Sequence, residues 1–264
     1  MGSELAGFIK ERQAGQIRHI KQAKGVNPKL AIIVTVNDPI IEIYLRLKKQ
    51  YGSDIGAIVE LYRLEEFSEI DDLIDKLNKD SDVHGIIIQL PVAEPSRTEE
   101  VVNLVNPKKD VDGLSTKTTF DPATPMAILW LLSGFNVELK GKNIVIVGRG
   151  RLVGSPLEKA LINQGLTPKV INKTTKNIRE ELKDADIIIT ATGVPGLIKS
   201  DMIKQSAVVI DAGVASEDGK TVGDVEEDIY ENRLDLTITP RKGGVGPLTV
   251  CALFDNLIRA AERS

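Results

Sequence analysis

The chain of 264 residues carries one cysteine, one tryptophan and two histidines. A single cysteine excludes an internal disulfide. Cys251 sits in an apolar stretch, where a packed core thiol is expected. With His19 and His84 far apart and only one thiol, no transition-metal cluster can be assembled from neighbouring ligands. Aromatic residues make up 4% of the chain, too few for a platform that stacks single-stranded bases. The net charge of −4 leaves no basic footprint for nucleic acid. Apolar runs are short and interrupted, so none is long enough to span a bilayer. Met1-Gly2-Ser3-Glu4 brings charge early and lacks the apolar core of a signal peptide, and Ala6 departs from the myristoylation pattern. These features point to a cytoplasmic protein with no membrane or nucleic-acid partner.

What is present is alternation. Amphipathic stretches at Glu4–Ala23, Ile40–Tyr51, Phe67–Lys79 and Thr98–Val105 predict helices. Apolar runs at Leu30–Val36, Ala57–Leu61 and Gly85–Leu90 predict strands between them. A turn-rich passage covers Asn106–Asp121, and Pro125 opens a helix ending near Gly134. A second set of strands follows at Asn143–Val147, Lys169–Asn172, Asp186–Thr190 and Ala207–Asp211. After Pro240 come a glycine loop and a last helix, with Val250, Leu253, Phe254, Leu257, Ile258 and Ala261 on one face. Such alternation is the signature of an α/β protein with mostly parallel strands. The length suits two modest domains, divided near Thr116–Asp121. A cleft between two such domains is a usual place for a ligand.

The sharpest local signal is Val145-Ile146-Val147-Gly148-Arg149-Gly150-Arg151-Leu152-Val153-Gly154. A buried-type strand ends in glycine and hands over to a helix predicted at Leu152–Gln164. Unpaired N–H groups and the positive dipole end of a helix start suit a phosphate, and glycines admit close approach. The spacing G-x-G-x-x-x-G is one residue longer than the common dinucleotide fingerprint, and a plain glycine corner is the alternative. An NAD site often has an acid at the end of the second strand, roughly 20 residues on. Here that position reads Asn172-Lys173-Thr174-Thr175. Arg149 and Lys173 are both placed to face a 2′-phosphate, which favours NADP over NAD; a solvated loop lysine is the other reading of Lys173.

Further residues offer chemistry. Tyr44 and Lys48, four apart, share one helix face. A lysine beside a phenol can act as acid or base once its pKa is depressed, although Arg46-Leu47-Lys48-Lys49 also reads as an exposed basic helix end. Gln89 ends a buried strand, where ligands gather or where a glutamine caps its own loop. Asp110-Val111-Asp112-Gly113 is an acidic turn that could bind a cation, read ring N–H groups, or serve the turn alone. Gly243-Gly244-Val245-Gly246-Pro247-Leu248-Thr249 could cradle a ligand with backbone N–H groups or act as a flexible turn.

Taken in order, Pro28–Ala31, Tyr44-x-x-x-Lys48, Gly85–Pro91, Pro107–Gly113, Gly148–Pro156 and Gly243–Thr249 closely resemble the bifunctional methylenetetrahydrofolate dehydrogenase/methenyltetrahydrofolate cyclohydrolase family. The resemblance covers nearly the whole chain. It implies a catalytic domain at 1–118, completed by a C-terminal helix at 246–264, and a Rossmann-like NADP-binding domain at 119–245. It implies a homodimer acting on tetrahydrofolate derivatives in one-carbon metabolism and purine biosynthesis. It implies a catalytic Lys48 supported by Tyr44 and Gln89, with folate bound in the cleft by these residues, Asp112, Gly244 and Pro247. Arg149, Gly150, Thr175 and Val214 match dinucleotide positions, joined by Gly148 from the glycine turn and Lys173 from the charge argument, and no metal is implied. A cyclohydrolase alone and a non-catalytic nucleotide-sensing dimer are the alternatives, and the intact Tyr44, Lys48, Gln89 and Asp112 argue against the latter.

The chain departs from the family pattern at Ile41, Ala123, Ala127, Gly150 and Asn172, where serine, cysteine, glycine, serine and histidine are usual. It also reads Pro240-Arg241-Lys242 where Pro-Val-Pro is usual. The charges of Arg241 and Lys242 are expected to help attract the glutamate tail of folate.

Overall fold

A computed structural model describes residues 2–217 and 220–264. Its elements run α1 (Gly2–Lys24), β1 (Lys29–Val34), α2 (Pro39–Ile55), β2 (Ile58–Arg63), α3 (Ile70–Lys79), β3 (Gly85–Ile88), α4 (Thr98–Leu104) and α5 (Ala123–Gly134). There follow β4 (Ile144–Val147), α6 (Gly154–Asn163), β5 (Lys169–Ile171), α7 (Ile178–Leu182), β6 (Ile187–Thr190) and β7 (Val208–Asp211). The chain closes with β8 (Ala215–Glu217), β9 (Lys220–Val222), α8 (Ile229–Asn232), β10 (Thr237–Ile238) and α9 (Val245–Arg263).

Two compact units form. One consists of Gly7–Ala123 with Val250–Ser264, and the other of the residues through Ala6 with Thr124–Thr249. The first holds a parallel sheet of order β2-β1-β3, with Leu30–Ile33 wholly buried. Strands covered on both faces need continuous apolar runs, and β1 has one. Ala31, Ile33, Ile86 and Ile88 pack against Ile70, Ile74 and Leu77 of α3 and Val101 and Val102 of α4. Two local signals bound α2. Its Asp38 cap accepts from the N–H groups of Ile40 (2.7 Å) and Ile41 (3.2 Å), and Gly56 ends it at φ 86°.

In the second unit a parallel sheet of order β10-β7-β6-β4-β5 surrounds β4, whose Ile144–Val147 are all buried. The chain leaves β4 for β5 on one side and returns to β6 on the other. That reversal opens a crevice at the carboxyl ends of β4 and β6. In the three-stranded sheet β1 is likewise flanked by β2 and β3, and the equivalent point lies at the ends of β1 and β3.

Some boundaries differ from expectation. The strands predicted to reach Val36 and Leu90 stop at Val34 and Ile88, because the backbone there turns to build loops at the switch point. The last helix begins at Val245, so Gly246, Pro247 and Leu248 are its first turn rather than a loop; proline is tolerated there because that N–H has no helical partner. Nor is α9 buried on one face only: Cys251, Ala252, Asn256 and Ala260 are buried as well. The short elements α7, α8, β8, β9 and β10 carry no periodic pattern long enough to be read.

Candidate active site

Helix α2 turns its faces in sequence. Ile41 and Leu45 enter the core, Ile43 and Leu47 face outward, and Tyr44 and Lys48 lie half-buried one turn apart. The neighbouring Arg46 and Lys49 are exposed, so only Lys48 of the basic run is drawn inward. The Lys48 ammonium donates to Gln89 Oε1 at 2.8 Å. Gln89 follows β3 directly; its backbone N–H donates to Ile33 O at 2.9 Å and its amide nitrogen to Leu90 O at 3.1 Å. The amide is thereby oriented with its oxygen toward the lysine. The lone glutamine at a strand end is thus a tether for Lys48 as well as a loop cap.

Burial pushes the Lys48 pKa down, and the nearby Asp112 carboxylate partly opposes this. Asp112 is pushed up by burial, against the pull of Lys48 and with a smaller contribution from Asp110. Burial also raises the Tyr44 phenol, keeping it protonated. The acidic turn divides its labour. Asp110 is buried and accepts from Ser115 N (2.8 Å) and Leu114 N (3.3 Å), serving the turn. Asp112 instead faces the electrostatic field of Lys48. Gly113 holds φ 73° with Pro122 backbone atoms 2.8 Å from where a Cβ would stand, so a side chain is excluded there.

Asn256 of α9 is a contributor that sequence reasoning missed. It is buried and donates to Val111 O (2.9 Å) and Asp121 O (2.8 Å), clamping both flanks of the Asp112 turn. A polar residue inside an apolar helix run was the available signal, since a buried amide must find partners. A cavity of about 440 Å³ opens beside the ends of β1 and β2, lined by Thr35, Asn37, Glu42 and Arg63 among others; Tyr44, Lys48, Gln89 and Asp112 do not line it.

In the other unit the glycine turn follows β4. Gly148 takes φ 102°, and a Cβ on it would lie 2.7 Å from Ala191 O. A Cβ on Gly154 would lie 1.9 Å from Gly148 O, so that glycine lets α6 close on the turn. Nothing stands within 4 Å of a Cβ on Gly150, which borders open space. These are the three uses a nucleotide turn makes of glycine: tight turn, close packing and open approach. Arg149 is exposed and its guanidinium reaches Glu158 at 3.1 Å.

After β5, Asn172 Oδ1 accepts from Thr174 N (2.9 Å) and Thr174 Oγ1 (2.7 Å), while Thr175 Oγ1 accepts from Asn172 N at 3.1 Å. That neutral turn stands where an NAD site often carries an acid, and it leaves Lys173 exposed. Val214 is exposed past β7. Gly244 is buried: a Cβ on Gly2 would lie 2.0 Å from Gly244 O, and Ser3 N donates to Gly243 O at 3.0 Å. Pro247 is half-buried in α9, and both belong to the unit of the glycine turn.

Arg241 is already engaged. It pairs with Glu227 at 2.9 Å and Glu231 at 3.4 Å and lies over the Tyr230 ring at 4.9 Å.

Profiles of two domains match the sequence. Residues 1–112 match the tetrahydrofolate dehydrogenase/cyclohydrolase catalytic domain, and residues 122–264 match the NAD(P)-binding domain of the same enzymes. The chain belongs to the tetrahydrofolate dehydrogenase/cyclohydrolase family. Within the family it is 38% identical to the bifunctional protein FolD of a Hydrogenobaculum species, over 99% of this chain and 98% of that one. It superposes on the bifunctional FolD of Campylobacter jejuni with a TM-score of 0.93, at 33% identity, covering 99% and 97% of the two chains. The Trypanosoma brucei FolD, solved with NADP cofactor and inhibitor, gives a TM-score of 0.92 at 28% identity, with 99% and 96% covered. The family's NAD(P)-binding profile spans the glycine turn at Gly148, and its catalytic profile reaches Asp112.

Among the described residues no His, Cys, Asp and Glu group could hold a metal ion, and no helix is long and apolar enough to cross a membrane.

Proposed function

We propose that the protein oxidises 5,10-methylenetetrahydrofolate to 5,10-methenyltetrahydrofolate with NADP and then hydrolyses the product to 10-formyltetrahydrofolate. One observation carries the reading: Lys48, in a chain of this family, is tethered by Gln89 with its pKa pushed down by burial.

The glycine turn at Gly148, Arg149 and Gly150, with Lys173, Thr175 and Val214, fits a dinucleotide and holds NADP. The steric room at Gly150 and the absence of an acid at Asn172 favour a phosphorylated ribose. The Arg149–Glu158 pair is exposed and worth about 0–1 kcal/mol, so a phosphate can displace it. NADP supplies the hydride acceptor for the first step.

Hydrolysis uses the chain's own groups. Water adds to the electrophilic methenyl carbon. Neutral Lys48 takes a proton from that water and returns one to N5 as the N5–carbon bond breaks, leaving the formyl group on N10 and one net proton released. Gln89 holds the amine in place, Tyr44 packs against the substrate and orients the lysine, and Asp112 accepts from pterin N–H groups. Gly244 and Pro247 contribute to substrate binding. We place the catalytic domain at 1–118 with 246–264 and the NADP-binding domain at 119–245. We also propose a homodimer working in the cytoplasm, its formyl product feeding purine biosynthesis.

The test mixes the purified protein with methylenetetrahydrofolate and NADP or NAD, following reduced nicotinamide and the methenyl chromophore separately. Reduction with NADP and little methenyl accumulation is expected. Preference for NAD would overturn the cofactor assignment. Hydrolysis of supplied methenyltetrahydrofolate with no reduction would leave a cyclohydrolase alone, and silence in both assays would overturn the enzyme reading.

A further inference from the structure

Beneath the loop that follows β6 lie two acids, Asp224 buried and Asp211 partly buried, that the reaction above does not use. Asp224 is 1% exposed. Its carboxylate accepts from Thr190 Oγ1 at 2.6 Å, Thr192 N at 2.6 Å and Val194 N at 3.1 Å. Asp211, at the end of β7, accepts from Gly213 N (2.9 Å), Asp224 N (3.1 Å) and Val225 N (3.1 Å). Each carboxylate occupies space that only a glycine leaves open: a Cβ on Gly213 would lie 2.0 Å from Asp224 Oδ1, and one on Gly223 would lie 2.0 Å from Asp211 Oδ2.

The loop held by Asp224 touches the nucleotide turn. Ala191 O and Thr192 Cγ2 lie 2.7 Å and 3.1 Å from where a Cβ on Gly148 would stand. On its other side, Val214 O lies 3.4 Å from the corresponding point on Gly193. The Ala191–Val194 backbone thus sits between the Gly148 turn and the Val214 loop, at the switch-point crevice, with its height set from below by one carboxylate.

We propose that Asp224 is a positioning residue for the dinucleotide: by holding the Thr192 and Val194 N–H groups, it seats the Ala191–Val194 loop against the Gly148 turn. The inference rests on the reading that this crevice holds NADP. Asparagine keeps the shape of Asp224 but replaces one acceptor with an NH₂ group that confronts a backbone N–H. The loop must then shift or leave a donor unsatisfied.

The test compares Asp224→Asn and Thr190→Val in the full chain. Thr190→Val disturbs the same buried network but leaves both loop N–H groups bonded to Asp224. NADP affinity is read by titration calorimetry, alongside Tm, the NADP KM and kcat, and hydrolysis of methenyltetrahydrofolate. Asp224→Asn is expected to raise the NADP Kd and KM by about tenfold, the scale of one lost charge-assisted hydrogen bond. Its kcat at saturating NADP and its hydrolysis rate stay near the parent values. Thr190→Val is expected to lower Tm while its Kd stays within about twofold of the parent, less than one hydrogen bond is worth. An unchanged Kd in Asp224→Asn, or Kd values that track Tm in both variants, overturns the proposal. Should Asp224→Asn fail to fold, Gly213→Ala, whose Cβ pushes directly on the carboxylate, must give the same rise in Kd, and an unchanged Kd there overturns the proposal equally. No NADP binding by the parent protein overturns the site reading itself, and this inference with it.

Discussion

Lys48 illustrates how one side chain acquires its chemistry from three directions. Helix α2 aims it, Gln89 tethers it, and burial lowers its pKa against the pull of Asp112. Lys48→Ala should cut hydrolysis of methenyltetrahydrofolate about a hundredfold or more, the usual weight of a proton-transfer group. Lys48→Arg should rescue nothing, because a guanidinium does not deprotonate. Stopped-time assays of both variants check this; retained hydrolysis in either would remove Lys48 from the mechanism. The sign of the Asp112 effect makes a second test. Asp112 raises the Lys48 pKa, so Asp112→Asn should lower it further. If neutral Lys48 is the base, the rate rises with pH through that pKa, and the rising limb of kcat against pH should move to lower pH in Asp112→Asn. A limb that stays put or moves upward would contradict the coupling.

At the scale of elements, packing tolerances decide what can change. Gly52 lies inside α2 where a Cβ would sit 2.4 Å from Val59 Cγ2 of β2 and 3.2 Å from the Phe254 ring of α9. Helix, strand and helix meet there without room for a methyl group. Gly52→Ala should therefore destabilise the protein by about 1–3 kcal/mol, the usual cost of overpacking; urea denaturation reads it, and an unchanged midpoint would mean the contact relaxes freely. The elements most legible in the sequence were those with long periodic or continuous apolar patterns, such as α2, β1 and β4. Helix α7 has only five residues, and its signal was a cap: Asn177 accepts from Glu180 N at 3.3 Å, the Asn-x-x-Glu pattern of a helix start. Asp224 had no such local mark, and Asn256 only its polarity within an apolar run, because their partners lie about 30 or more residues away in sequence.

For the whole molecule, α9 matters because Leu253, Phe254, Leu257 and Ile258 are all buried. Each buried side chain of this kind contributes about 1.5–3 kcal/mol, so together they rival the net stability of a domain, about 5–15 kcal/mol. A chain ending at Thr249 should lose the structure around Lys48, seen as rapid proteolysis within Gly7–Ala123; protection equal to the full chain would refute this. The proposed homodimer has support in Ile43 and Leu47, 45% and 52% exposed one turn apart on α2, and in β2, a terminal strand of its sheet. The double variant Ile43→Lys, Leu47→Lys should sediment as a 28.8 kDa monomer while the parent sediments at about twice that mass. A parent already monomeric would dismiss the dimer, and a dimeric double variant would move the interface elsewhere.

The α/β alternation, the strand–turn–helix around Gly148, the shared face of Tyr44 and Lys48 and the family resemblance are all legible in residue order. These are encoded in spacings of a few residues, which backbone geometry converts directly into faces and turns. Folding assigns one aspartate to its turn and the other to the field of Lys48, and brings Gln89, forty-one residues away, to hold that lysine. The folded chain also pairs Arg241 with Glu227 and Glu231 and sets Asp224 beneath the Thr192 N–H group. Burial, Coulomb fields and close contact depend on what the folded chain brings together, and no local spacing records them.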